Sequence, residues 1–147
     1  MKPRESAPAN LDLFDLPSEI EPRQESLGPG AAVLRGFATA DAPVLLVALQ
    51  DVIGLAPFRH MVTPGGFRMS VAMGAPIVSV SLGIPAIFLF GGSKRSDRAA
   101  RVPLAHGDVV VWGGPARLRY HGVLPLPAGY HPLVGGCRIN LTFRRAA

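Results

Sequence analysis

The chain has 147 residues, 48% apolar and 17% charged, which is enough for one buried core and too short for two. That composition excludes disorder as the dominant state, and 17 glycines with 15 prolines exclude a mainly helical bundle in favour of short strands and tight turns. The formal charge of +5 is uneven: residues 1–58 hold four basic and eight acidic side chains, and residues 59–147 hold eleven basic and two acidic, Asp97 and Asp108. The second part is thus +9, and thirteen of the fifteen basic residues are Arg, the side chain suited to bidentate contact with phosphate or carboxylate. A polyanionic partner or an acidic small ligand fits this balance, with a plain solvated basic surface as the alternative.

Residues 1–30 mix acidic groups with proline and glycine and read as a loosely ordered N-terminal arm, with one apolar patch at Leu11, Leu13, Phe14 and Leu16. The next segment, 31–74, opens with a strand over Ala31 to Phe37. A helix is predicted from Thr39 or Asp41, with Asp41 as N-cap, Pro43 in the first turn and an apolar stripe of Val44, Leu45, Ala48, Leu49 and Val52. Gly54 and Pro57 are expected to end it. Beyond the Thr63-Pro64-Gly65-Gly66 turn, Phe67 to Met73 reads as a strand.

The segment 75–147 carries sheet signals throughout. Ile77 to Leu82 and Ala86 to Phe90 are predicted to form a hairpin across a Gly-Ile-Pro turn, Val109 to Trp112 a buried strand, and Arg138 to Arg144 the last strand. Period-two alternation sends Ile139, Leu141 and Phe143 to one face of that last strand and Arg138, Asn140, Thr142 and Arg144 to the other. Two guanidiniums and a carboxamide on one side suit a dicarboxylate, and an exposed polar face is the plain alternative. The fold class expected is mainly β with one N-terminal helix (α+β).

The single cysteine, Cys137, excludes an internal disulfide framework and a multi-cysteine zinc site. Met1 to Ala9 lacks the apolar stretch of a secretory signal, and Pro76 to Phe90, interrupted by Gly83, Pro85, Ser79 and Ser81, is no bilayer span. A cytoplasmic protein without membrane contact is expected. Four histidines, His60, His106, His121 and His131, are available for chemistry. His106-Gly107-Asp108 followed by His121 has the outline of a two-histidine, one-carboxylate iron site. Gly107-Asp108 also reads as a turn entering the Val109 strand, where Asp serves the backbone.

Five segments together carry a resemblance: Met61 to Phe67 (MVTPGGF), Met69 to Met73 (MSVAM), Ala75 to Gly83 (APIVSVSLG), His106 to Gly114 (HGDVVVWGG) and Arg138 to Arg144 (RINLTFR). In their order along the chain they resemble the bacterial AlkB-type dioxygenases, which use iron(II) and 2-oxoglutarate to remove alkyl groups from DNA or RNA bases. The resemblance runs from about Leu11 to Arg145 and implies a double-stranded β-helix, or jelly roll. It implies that His121 is an iron ligand, that Arg138, Asn140 and Arg144 bind 2-oxoglutarate, and that Ile77 and Ser79 line the same pocket. Thr63, Pro64 and Phe67 would belong to the nucleotide-recognition lid, and Arg95 would contact the nucleic acid.

The resemblance also exposes a gap. Where the family has some tens of residues, this sequence joins Met73 to Ala75 through Gly74 alone. The missing stretch is the one that holds the family's H-x-D iron ligands, a base-stacking aromatic, and an Asn and a Tyr that help bind 2-oxoglutarate. His106-Gly107-Asp108 occupies its own family position and is not that pair, which leaves His60 and His131 as spare imidazoles. Three expectations follow: an incomplete jelly roll, an iron site short of ligands, and exposed sheet edges with an apolar Pro76 to Phe90 inviting self-association. By family the function is oxidative dealkylation of nucleic acids; an inactive chain that binds nucleic acid weakly is the alternative.

Overall fold

The computed structural model describes residues 23–56 and 75–145. The predicted Phe67 to Met73 strand and the lid residues Thr63, Pro64 and Phe67 lie outside the described residues, as does His60. Among the described residues, eight strands form two antiparallel sheets. The first has the order β1 (Gln24–Gly28), β2 (Ala31–Leu34), β6 (Val109–Trp112), β3 (Ile77–Gly83), β8 (Arg138–Phe143); the second has the order β5 (Ala100–Leu104), β4 (Ala86–Phe90), β7 (His121–Val123). One α-helix, α1 (Ala42–Leu55), joins β2 to the segment before β3. The architecture is mainly β with one helix, an incomplete jelly roll in which five strands face three.

Alternation along the strands sorts side chains into two layers. Ala31, Val33, Ile77, Val110 and Trp112 point from the first sheet toward Phe88, Phe90, Val102 and Leu104 of the second, and together they form the inter-sheet core. Val80, Leu82 and Val109 point the other way and pack on Ala38, Ala42 and Leu46, with Ile139 and Leu141 alongside. Strand β6 is buried on both faces, which is why it reads as an unbroken apolar run. The helix buries Ala42 and Leu46 and leaves Val44, Val47, Val52 and Leu55 exposed, so its inner stripe is rotated from the predicted one.

Several expectations need correction. Gln24–Gly28, assigned to the N-terminal arm, is an edge strand paired with β2, so the first sheet draws on all three predicted segments. Asp41 stands at the N-cap position but makes no side-chain cap, because its own backbone is already helical (φ −86°, ψ −11°). Strands β3 and β4 exist but do not form a hairpin. Both edges of β3 are already hydrogen-bonded, to β6 and β8, and the chain crosses to the second sheet instead. Gly83 makes that exit: its φ is +93°, and a Cβ there would meet the Cys137 carbonyl. The apolar run from Pro76 to Phe90 is not a free surface, since Ile77, Val80, Leu82, Ile84, Ala86, Phe88 and Phe90 are all buried. No helix among the described residues is long and apolar enough to cross a membrane.

One carboxylate ties the elements together at the β5–β6 corner. Buried Asp108 accepts through Oδ1 from the Gly36 N–H (2.8 Å) and through Oδ2 from the Ala105 N–H (2.9 Å) and Arg35 Nη1 (2.8 Å). Arg35 in turn donates through Nη2 to Glu25 on β1 (2.6 Å) and through Nη1 to the Pro103 carbonyl (2.5 Å). Gly107 (φ +85°) packs its backbone against Thr39, leaving no room for a side chain. The turn reading of Gly107-Asp108 is therefore correct, and Asp108 is spent on the scaffold. Asp108→Ala should cost about 2 kcal/mol, because it removes one of the two carboxylates paired with Arg35 and the acceptor of the Gly36 and Ala105 N–H groups. Urea unfolding checks this, and a loss below about 1 kcal/mol would contradict it.

His106 also serves the scaffold. Its Nδ1 accepts from the Gly83 N–H at 3.0 Å, and its ring stacks on His131 at 4.1 Å between centroids. Burial, and then the neighbouring His131, push its pKa below the ordinary 6.5. The neutral ring is the form the fold needs, so its contribution is fully present above that value and is lost as pH falls from it toward the lower folded-state value. The melting temperature should fall between about pH 7 and pH 5, and His106→Gln, whose carbonyl can still accept from Gly83, should flatten that slope. Identical slopes in the two proteins would contradict this role.

Candidate anion-binding site

Between the sheets lies a cavity of about 290 Å³ lined by residues of β3, β4, β6, β7 and β8. Its polar wall comes from the inward face of β8 and its neighbour β3, where Ser79 stands opposite Thr142 and Ser81 opposite Asn140. Ser79 Oγ donates to Asn140 Oδ1 (2.8 Å), Asn140 Nδ2 donates to Thr142 Oγ1 (2.8 Å), and Arg138 Nη2 donates to Ser81 Oγ (2.9 Å). This ladder holds Asn140 in one orientation. Arg138, Asn140, Arg144, Ile77, Ser79 and His121, all singled out in the sequence, line this one cavity. Arg95 does not; it is exposed in the segment between β4 and β5.

The remaining wall was not legible in the sequence. It comprises Phe88, Trp112, Gly122, Val123 and above all Arg117, which follows a 3-10 turn at Gly114–Ala116 and is 5% exposed. Among the described residues, every buried side-chain N or O atom without a hydrogen-bond partner belongs to this lining: Trp112 Nε1, Arg117 Nε and Nη2, and Arg138 Nε. All are donors. Burial alone pushes the Arg138 guanidinium below its usual pKa range. Buried cationic donors with no acceptor are costly, and a ligand that supplies acceptor oxygens removes that cost. The arrangement therefore fits a small carboxylate-bearing anion such as 2-oxoglutarate.

The same lining does not fit an iron ion on its own. His121 is its one imidazole, and it holds no carboxylate or thiol. No three His, Cys, Asp or Glu side chains among the described residues come together as a metal site. A facial iron site needs two histidines and a carboxylate. His121 itself is set up as a ligand would be: its Nδ1 lies 2.9 Å from the Arg119 carbonyl, an acceptor that requires Nδ1 to carry the proton and leaves the lone pair on Nε2. Its ring rests edge-on against Trp112, 4.9 Å away.

Residues 68–144 match the model of the 2OG-Fe(II) oxygenase superfamily, and the chain belongs to that superfamily. Within it the chain is a member of the AlkB type. It is 38% identical to the alpha-ketoglutarate-dependent dioxygenase AlkB of Escherichia coli (strain K12), over 92% of this chain and 98% of that protein. An AlkB homolog of Caulobacter vibrioides is 51% identical across 48% of this chain and 33% of its own length. An Arabidopsis thaliana protein named DNA N(6)-methyladenine demethylase ALKBH1D is 39% identical across 78% of this chain and 29% of its own length. The E. coli alignment spans 214 positions but uses 92% of 147 residues, about 135, so about 79 of its positions have no residue of this chain opposite them.

Proposed function

We propose that this AlkB-type chain binds 2-oxoglutarate or a dicarboxylate like it, and does not by itself complete the iron site that oxidative dealkylation of a base requires. The observation that carries this reading is the cavity lining, in which Arg138, Asn140, Arg144, Ser79 and Ile77 accompany a single imidazole, His121, and no acidic side chain. The unmatched alignment positions support it, because the segment joining Met73 to Ala75 is where the family resemblance expects the H-x-D pair. One imidazole supplies neither the negative charge nor the facial geometry that iron(II) chemistry needs. Anaerobic titration of iron(II) with 2-oxoglutarate tests the reading through the charge-transfer absorption of the bound pair. No band should develop, and a band saturating at one iron per chain would overturn it.

A second reading concerns association with nucleic acid, and a separate observation favours it. Lys94, Arg95, Arg98 and Arg101 are all exposed within one short stretch leading into β5, with Asp97 the single acid among them. Such a cluster suits a phosphate backbone, with Arg95 in the contacting role that the resemblance gives it. If about three phosphates are neutralised, single-stranded DNA affinity should fall more than about tenfold between 50 and 200 mM salt. Fluorescence anisotropy with a labelled alkylated oligonucleotide measures this. Affinity that ignores salt, or that requires added iron and 2-oxoglutarate, would contradict it.

A further inference from the structure

The cavity contains more cationic donor capacity than the β3–β8 wall accounts for. On that wall, Arg138, Asn140 and Ser79 already form a linked set. Arg117 stands outside the set, on the connection between β6 and β7. The 3-10 turn fixes it there through Ala116 N–H to the Gly113 carbonyl (3.0 Å) and Arg117 N–H to the Gly114 carbonyl (3.1 Å). Its side chain is nearly fully buried, lines the cavity, and has neither acid nor acceptor for Nε and Nη2 among the described residues. Trp112 Nε1, a further buried donor without a partner, lines the same cavity. A buried cation with open donors is costly, and acceptor oxygens placed beside it remove that cost.

We infer that Arg117, with Trp112 Nε1, is a second anion subsite, and that the cavity takes a short dicarboxylate with one carboxylate at Arg138 and Asn140 and the other at Arg117, without any metal ion. The inference rests on the reading of the cavity as a dicarboxylate site. It goes further by assigning the second carboxylate to a protein cation rather than to iron. The rest of the lining agrees with such a ligand: Ile77, Phe88 and Val123 give an apolar surface for a methylene chain. The cavity's size, about 290 Å³, is at the small end of small-molecule sites. Inorganic phosphate, a single compact anion, is the comparison ligand that separates one shared anion position from two.

The test uses the full chain in excess EDTA and follows Trp112, the chain's one tryptophan, by its emission. The probes are glutarate, which has two carboxylates and no keto group, butyrate, which has one, and inorganic phosphate. Glutarate should change the emission saturably and bind at least about tenfold more tightly than butyrate or phosphate. Arg117→Gln should weaken glutarate by about tenfold or more and leave butyrate within about twofold, with thermal melting confirming a folded variant. Should Arg117→Gln fail to fold, the wild-type preference for glutarate over butyrate, together with Arg117→Lys, decides the matter. Unchanged glutarate affinity in a folded Arg117→Gln protein overturns this subsite and leaves the wider anion-site reading standing. Failure of the wild type to bind any dicarboxylate in EDTA overturns this subsite; if 2-oxoglutarate also fails to bind with iron(II) present, the wider reading falls as well. Glutarate binding only after iron(II) is added, or phosphate binding as tightly as glutarate, overturns the metal-free dicarboxylate assignment alone.

Discussion

The period-two alternation of β3, β6 and β8 is the constraint on which both the core and the cavity depend. One face of these strands is apolar and holds the helix, through Val80, Leu82, Val109, Ile139 and Leu141. The other face is mixed: Ile77, Val110 and Trp112 meet the second sheet, while Ser79, Asn140 and Arg138 face open space beside it. A one-residue slip of β8 against β3 would exchange the two sets, placing guanidiniums against Leu46 and apolar side chains in the cavity. Burial of the helix layer thus fixes the position of the anion-binding groups, and the register Ser79 to Thr142 is a functional quantity as much as a structural one.

Electrostatics gives the cavity its character. The two acids of the basic second part, Asp97 and Asp108, are both engaged elsewhere: Asp97 accepts from the Lys94 N–H, and Asp108 holds the Arg35 corner. Nothing acidic is left to neutralise Arg117 or Arg138 from within the lining. In an iron enzyme of this type a metal would add positive charge to such a cavity and carboxylate ligands would offset it. Here neither contribution comes from the described lining, and the proposed bound anion would supply the compensation. The +9 imbalance of the sequence is concentrated in two places, the cavity lining and the exposed cluster around Arg95.

Much of the site could be read before any coordinates, because it lies on strands whose side-chain direction follows from spacing alone. Arg138, Asn140 and Arg144 fall on one face by counting, while Ile77 and Ser79 are assigned to the same pocket by the family resemblance, and the β3–β8 pairing shows how they come to be there. What could not be read depends on contacts between distant residues. The hairpin expected for β3 and β4 failed because the partner of β3 is β8, joined through Ser79 and Thr142 across most of the second half of the chain. Strand β5 was invisible because Pro103 and the exposed Ala100 and Arg101 obscure it. Strand β7 has only three residues. Arg117 carried no signal at all, since its burial comes from a short turn folding beneath the sheet and not from any periodic pattern.

The most direct measurement is the ¹⁵Nε–¹Hε spectrum of the arginine side chains in EDTA, recorded as glutarate is added. The Nε resonances of Arg117 and Arg138, the two arginine Nε groups that are buried without a partner among the described residues, should move together and saturate at the same ligand concentration, while exposed Arg95 stays in place. Movement of Arg138 without Arg117 would contradict the two-ended site, and no movement of either would contradict the anion cavity itself.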